Sequence, residues 1–324
     1  MNHDRRDILE WAQAGRLDAL QLRRALELAA VLPDRARWRA FLDALLLWLG
    51  VVMLAAAAVF FLAYNWQDLG RYAKFALAEG LIVAALAAIA WLGLERIAGK
   101  SALLAAALFT GALLALIGQT YQTGADTFEL FAVWAAAILP WALLARFPVL
   151  WLLWLALANL AVLLYFQAFR GAFGLIFTTE RQLWLVFGLN TLALAAWEAL
   201  ALAGVAWLRE RWAVRLIATA AGTCITVLAV GDIFDRHTFG WALPAWLAWL
   251  GVAYALYRRR VKDLFVLAGG VLSVVAVVAA GLARLLMDSR AEAGGLFFIG
   301  LVVIGLSAAG GIWLKNVANE EEAR

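Results

Sequence analysis

Long apolar stretches separated by short polar segments follow one another from residue 42 to residue 314. A helix needs about 20 residues to cross the hydrocarbon core of a bilayer, which is roughly 30 Å thick. Ten stretches have about this length: 42–64, 72–94, 101–118, 128–145, 147–169, 183–208, 212–234, 240–257, 264–287 and 295–314. Because lipid offers no partner to backbone N–H and C=O groups, and no barrel-like alternation is present, the pattern predicts helices.

The pattern therefore predicts an all-α fold, a polytopic transmembrane helical bundle of about ten spans. The domains expected are a helical hairpin over residues 1–41, a ten-helix transmembrane domain over 42–314 and a tail over 315–324. Hydrophobic residues make up 66% of the chain, against about 45–50% in an ordinary soluble domain. The lipid bilayer is therefore the first expected partner.

The hairpin before the first span has its own signals. Gly15 is expected to stop its first helix, and Asp18 with Gln21 forms a predicted capping box for the second. We expect this hairpin to lie on the membrane with its arginines near anionic lipid, and docking of a cytoplasmic partner is the alternative. A DNA-binding helix-turn-helix is disfavoured, because forty tethered residues leave no room for a three-helix core. No nucleic-acid partner is expected.

The distribution of basic residues indicates the orientation. With the N-terminus inside, 20 of the 27 Lys and Arg residues fall on the cytoplasmic side. The positive-inside rule therefore predicts a multi-pass membrane protein with both termini cytoplasmic. The same loops account for the formal net charge of +4.

Polar side chains inside or near the predicted spans are candidate functional residues, because such groups are costly in lipid. These residues are Glu79, Asn159, Asn190, Glu198 and Arg284. Glu198 is placed in the middle of its span with Asn190 two turns away, and Arg284 can pair with Asp288. Three interpretations stay open for the two glutamates: hydrogen bonding to a neighbouring helix, a proton or cation path, and a hydrated groove without chemistry.

A second candidate site lies in the predicted outer loops. Asn65, Trp66, Gln119, Tyr121 and Asp126 could line a polar depression that takes a ligand or a partner protein. In another outer loop, Asp232, Asp235 and His237 could bind a divalent cation, although helix capping by the aspartates is the commoner use. No metal or cofactor is predicted.

Recognisable catalytic motifs are missing from the chain, and His3 and His237 are its only histidines. An enzyme is therefore not expected. A single cysteine, Cys224, offers no disulfide framework. Glycines at packing intervals in the last span, among them Gly305 and Gly310, indicate close helix packing.

The first half of the chain resembles a family of bacterial membrane proteins, the domain of unknown function two-one-five-seven. The resemblance rests on the N-terminal helical segment 9–32, on Phe61-Leu-Ala-Tyr-Asn-Trp66, on Gly118-Gln-Thr-Tyr-Gln-Thr-Gly-Ala-Asp126, on Leu130-Phe-Ala-Val-Trp134 and on Pro140. It covers roughly residues 8–170. It implies a location in the bacterial inner membrane and a multi-pass topology, with no catalytic residue. It also favours membership of an envelope complex.

Taken together, these features favour a structural or regulatory component of an envelope complex, with an outer-facing polar site for a ligand or partner. The alternative is a secondary transporter of the five-plus-five inverted-repeat type that uses the intramembrane carboxylates.

Overall fold

A computed structural model describes residues 2–29, 35–64, 68–122, 124–169, 179–235, 240–287 and 292–322. Twelve α-helices account for most of these residues. They are α1 (Asn2–Gln13), α2 (Ala19–Leu28), α3 (Arg35–Tyr64), α4 (Arg71–Leu92), α5 (Ile97–Tyr121), α6 (Thr127–Ala145), α7 (Pro148–Phe169), α8 (Thr179–Leu202), α9 (Arg211–Phe234), α10 (Ala242–Ala255), α11 (Leu264–Met287) and α12 (Glu292–Glu322). A 3₁₀-helix, Ala206–Arg209, follows α8, and a π-helical segment, Leu256–Arg260, continues α10.

The predicted all-α, membrane-spanning architecture is confirmed. Within the described part of the chain, nine helices, α3 to α9 together with α11 and α12, are long and apolar enough to cross a membrane. The remaining predicted span, 240–257, corresponds to α10 of 14 residues and its π-helical continuation. The number of crossings and the side on which the termini lie stay predictions.

The prediction for the end of the sixth span was wrong. We expected it to run to residue 208, whereas α8 ends at Leu202. Gly204 adopts a left-handed backbone with φ +99°. The Val205 N–H bonds to the Leu200 carbonyl at 3.1 Å and the Gly204 N–H to the Ala201 carbonyl at 3.2 Å, which is the Schellman pattern of a helix stop. Glu198 therefore lies one turn from the helix end rather than in mid-span.

The first of two compact units comprises Met1–Leu113 and Asn319–Arg324. Its helix α1 packs on α2. Gly15, with φ +69°, follows α1 as predicted. Gln21 donates its backbone N–H to the Asp18 carboxylate at 2.7 Å, and its side chain accepts from the Asp18 N–H at 3.0 Å. The predicted capping box is thus confirmed. On α2, Leu20 is 81% exposed.

The second unit, Leu114–Ala318, is built around α9. This helix packs against α8, α10 and α11, while α7 packs against both α6 and α8. The inward face of α9 is rich in small residues, such as Ala213, Ala221 and Ala229, all fully buried. Small side chains let helix backbones approach closely in a membrane, where the hydrophobic effect does not drive helices together.

Two pairs of contacts show that α9 and α11 run parallel. Arg215 meets Asp263 where both helices begin. About ten residues further along each helix, the Thr226 and Ser273 hydroxyls lie 2.6 Å apart. The indole of Trp246, on α10, donates to the same Ser273 hydroxyl at 2.8 Å. The start of α9 and the start of α11 therefore share one end of the unit.

Glycine spacing in α12 gives a test of this packing. A Cβ at Gly310 would collide with the Val271 side chain of α11, whereas one at Gly305 meets nothing within 4 Å. We expect Gly310→Ala to lower the free energy of unfolding by about 1–3 kcal/mol through overpacking. Gly305→Ala should be neutral or slightly stabilising, because alanine is the better helix former. Thermal unfolding of both variants in detergent checks this, and equal midpoints would contradict the packing.

Candidate functional site

Asp263 occupies the turn that leads into α11. Lys262 before it has φ +42°, and the Asp263 N–H bonds to the Tyr257 carbonyl at 3.1 Å. One oxygen of its carboxylate, Oδ1, accepts the backbone N–H groups of Phe265 at 3.1 Å and Val266 at 3.4 Å. Aspartate is a preferred residue at this position because its carboxylate satisfies amides that the first helical turn leaves unpaired. Asp263 is thus the N-cap of α11.

Two arginines of α9 bind the same carboxylate. Arg211 donates from Nε to Asp263 Oδ2 at 3.1 Å. Arg215, one turn further along the same face of the helix, donates from Nε to both oxygens of Asp263 at 3.2 Å. The start of α9 and the start of α11 are therefore joined by two ion pairs.

The cluster extends to α8 through the other edge of the Arg211 guanidinium. Arg211 Nη1 donates to both carboxylate oxygens of Glu198, at 2.9 Å and 3.1 Å. The side chains of Glu198 and Asp263 are only 5% and 1% exposed. We call Glu198, Arg211, Arg215 and Asp263 the ionic cluster. Its two positive and two negative formal charges cancel. That balance is what burial requires, since an unpaired charge in a medium of low dielectric constant is costly.

Aromatic rings pack against both guanidinium groups. The Arg211 guanidinium carbon lies 5.6 Å from the centroid of the Tyr257 ring, and that of Arg215 lies 5.7 Å from the Phe265 ring. Cations are attracted to ring faces at such distances. Nearby, Trp197 donates its indole N–H to the Leu208 carbonyl at 3.0 Å, which ties the 3₁₀-helix back onto α8. The guanidinium groups are therefore fixed both by carboxylates and by rings.

Asn159 and Asn190, two of the predicted candidates, form a reciprocal amide pair between α7 and α8. Asn190 Nδ2 donates to Asn159 Oδ1 at 2.7 Å, and Asn159 Nδ2 donates to Asn190 Oδ1 at 3.3 Å. Each amide nitrogen also donates to a carbonyl one turn earlier in its own helix, at 2.8 Å. The pair therefore satisfies itself without an external ligand.

Buried polar side chains follow α8 at regular intervals and reach different neighbouring helices. Gln182, Asn190 and Glu198 are all buried and follow one another every eight residues, which is about 12 Å along a helix. Gln182 Nε2 donates to the Leu163 carbonyl of α7 at 3.4 Å. Glu198 reaches α9 through Arg211. Polar groups thus bind α8 to its neighbours along most of its length.

The other predicted candidates are not part of this arrangement. Glu79 is exposed on α4, and Arg284 is half-buried in the last turn of α11. Asn65, Trp66 and the proposed partner of Arg284, Asp288, lie outside the described residues. Of the predicted polar depression, the structure therefore describes only Gln119, Tyr121 and Asp126.

These three residues lie at the connection between α5 and α6. Gln119, Tyr121 and Asp126 are all exposed there, and the backbone turns through Gln122 with φ +46° and Gly124 with φ +66°. Asp126 occupies the N-cap position of α6, yet its carboxylate makes no capping hydrogen bond. The Asp126 carboxylate is therefore exposed at the start of α6 without capping it.

Asp232 does act as a cap. Its carboxylate accepts the backbone N–H of Ala242 at 2.9 Å and of Leu243 at 3.3 Å, at the start of α10. His237, the third member of the cation-binding alternative, lies outside the described residues. Among the residues that are described, no group of three His, Cys, Asp or Glu side chains could hold a metal ion.

Sequence reasoning missed Arg211, Arg215 and Asp263. Arg211 and Arg215 were counted only among the cytoplasmic basic residues and Asp263 was not considered, although one signal was present. Asp263 is an acid that follows the basic residues Arg258–Arg260 and Lys262. It comes immediately before a long apolar stretch. An acid in that place is a candidate N-cap, and an N-cap near basic residues is a candidate ion-pair partner.

A double-mutant cycle tests the coupling within the ionic cluster. Arg211→Gln leaves the buried Glu198 carboxylate without its cation, so it should lower the free energy of unfolding by about 3–5 kcal/mol. Glu198→Gln leaves Arg211 still paired with Asp263 and should cost less. The double variant should lose less than the sum of the two, with a coupling of about 0.5–3 kcal/mol. Chemical denaturation in detergent measures all four proteins, with exposed Arg209→Gln as the matched control. Strict additivity would show that the pair is not coupled.

Comparisons with known proteins match the N-terminal part of the chain. The model of a family described as "Predicted membrane protein (DUF2157)" matches residues 9–151. No curated protein and no solved structure matches the chain. The ionic cluster lies beyond the matched segment, which extends from α1 to the first turn of α7. Residues 9–151 are therefore similar to the DUF2157 family of predicted membrane proteins.

Proposed function

We propose that the chain is a multi-pass protein of the bacterial inner membrane that acts as a structural or regulatory component of an envelope assembly. Its apolar helices support the membrane location, and the bias of its basic residues supports cytoplasmic termini. In this orientation the α5–α6 connection faces the periplasm. The start of α9 and the start of α11 face the cytoplasm.

The observation that carries the proposal is the exposed acid at the α5–α6 connection. Asp126 stands at a helix N-terminus, where a carboxylate would ordinarily cap, and it makes no such bond. Gln119 and Tyr121 are exposed beside it in the chain. A polar loop with an acid, an amide and an aromatic ring suits a protein partner that presents hydrogen-bond donors or a basic side chain.

The interior of the second unit supports a scaffold. The half-buried Asn159 and the buried Asn190 and Glu198 each bond to a neighbouring helix. Groups paired in this way hold helices in place. A scaffold needs that rigidity, because a docking surface that is already ordered loses less entropy when a partner binds.

A secondary transporter is the second candidate. Two observations favour it: the buried polar side chains along α8, and the π-helical segment Leu256–Arg260 that interrupts the α-helical geometry after α10. Irregular helices in transporters often mark binding sites. Under this alternative Glu198 must release Arg211 during a transport cycle, and Glu79 and Glu198 are both needed for flux.

Affinity purification from the native host separates the two candidates. Asp126→Asn should lower the recovery of a co-purifying envelope protein at least about fivefold, because one charged hydrogen bond at an interface is worth roughly 1.5–3 kcal/mol. Glu95→Gln, an exposed acid in the α4–α5 connection, is the matched control and should leave recovery unchanged.

Two other results would decide against the scaffold. A wild-type protein recovered without any stoichiometric partner would contradict the scaffold. Solute-driven flux in liposomes that is lost in Glu79→Gln and Glu198→Gln, while both variants still insert and remain folded, would establish the transporter instead.

A further inference from the structure

We propose that the groove between α9 and α11 binds one anionic phospholipid, with an acyl chain in the groove and the phosphate at Arg215. This inference concerns a part of the protein that the proposed docking loop does not include. It stands whether the chain is a scaffold or a transporter.

The groove is a cavity of about 470 Å³. Small residues on both helices, including Gly222, Gly269 and Ala276, leave room between the backbones, and Trp249 of α10 closes the groove from behind. A Cβ at Gly222 would lie 3.1 Å from the Trp249 ring, so the glycine is what lets this ring sit so close. The lining follows α9 from Ala218 to Val227, which is roughly 14 Å of helix and suits an extended chain.

The walls are apolar and open sideways. Val227, Phe265 and Leu272 line the groove and are 49%, 53% and 68% exposed. The polar atoms of Thr226 and Ser273 are occupied by their bond to each other at 2.6 Å and by the Trp246 indole. In a membrane protein this surface borders the hydrocarbon region, so an acyl chain can enter from the bilayer without crossing a polar barrier.

Arg215 stands at the end of the groove where α9 and α11 begin. Its side chain is 44% exposed, and its guanidinium carbon lies 5.7 Å from the ring of the groove residue Phe265. Its Nε binds Asp263, and its two terminal nitrogens donate to no group within the described residues. These nitrogens can therefore donate two parallel hydrogen bonds to a phosphate. This bidentate geometry is the one in which guanidinium groups bind phosphate most effectively.

The surrounding charge favours an anion. Asp263 and Glu198 are each already paired with arginine, so the ionic cluster adds no net charge. Beyond it, Arg259 and Arg260 are exposed at the end of the π-helical segment, shortly before Asp263. Basic groups at the cytoplasmic ends of membrane helices attract anionic headgroups. Because Asp263 and Phe265 already hold the guanidinium, binding loses little side-chain entropy.

Lipid retention by the full-length protein tests the proposal. The protein is purified in detergent, washed free of native lipid, and incubated with mixed micelles of phosphatidylglycerol or of phosphatidylcholine, and bound lipid is counted by native mass spectrometry. Wild type should retain one phosphatidylglycerol and little phosphatidylcholine. Arg215→Gln should lower phosphatidylglycerol retention about fivefold. Arg146→Gln, at an exposed arginine after α6 and outside the groove lining, should change it less than twofold.

A second variant keeps the test independent of the ionic cluster. Gly269→Leu fills the groove and leaves Arg215 intact, and a Cβ at Gly269 meets nothing within 4 Å, so the fold should survive. The matched control is Gly251→Leu, which is equally open but lies on α10 outside the groove. Loss of phosphatidylglycerol in Gly269→Leu alone supports the site. Equal retention in both glycine variants, or equal retention of the two lipids by wild type, would overturn it.

Discussion

The carboxylate of Asp263 is the interaction on which the second unit depends. It caps α11 with two backbone amides and binds Arg211 and Arg215 of α9, and Arg211 in turn binds Glu198 of α8. Three helices thus meet at one end of the unit through a single run of alternating charges. Because Asp263 is almost completely buried, removing either arginine would leave a charge with fewer partners in a medium that does not solvate it.

This constraint explains why α9 is the centre of the unit. Its basic first turn is fixed by acids from α8 and from the start of α11, and its small residues then let α8, α10 and α11 pack closely along its length. The cluster also leaves Arg215 with a held but still exposed guanidinium. One arrangement of charges therefore both orders the helices and sets a donor at the mouth of an apolar groove.

Local and composition-based features could be predicted from the sequence. The helices follow from apolar length, and Gly15, Asp18 and Gln21 act within a few residues of one another, so their roles are visible in a short window. The end of α8 was missed because apolar residues continue past Gly204, and hydropathy does not register a left-handed turn. Because the predicted span extended six residues beyond the end of α8, Glu198 was assigned to the middle of the membrane.

Contacts between distant residues were beyond a single sequence. Asn159 and Asn190 were both identified as candidates, but their pairing joins residues 31 apart. Asp263 is 52 residues from Arg211 and 48 from Arg215, and apolar periodicity does not tell which helix faces which. Asn159, Asn190 and Glu198 could be found in the sequence, whereas their partners required the fold.

The central claim is that the ionic cluster holds the end of α8 against the start of α11. Spin labels on Leu200→Cys and Leu264→Cys, in a Cys224→Ser background, report this distance by double electron–electron resonance. The account predicts a single narrow distribution that becomes broad and longer when Arg211→Gln is added. An unchanged narrow distribution in the Arg211→Gln protein would show that packing alone positions these helices, and would contradict the account.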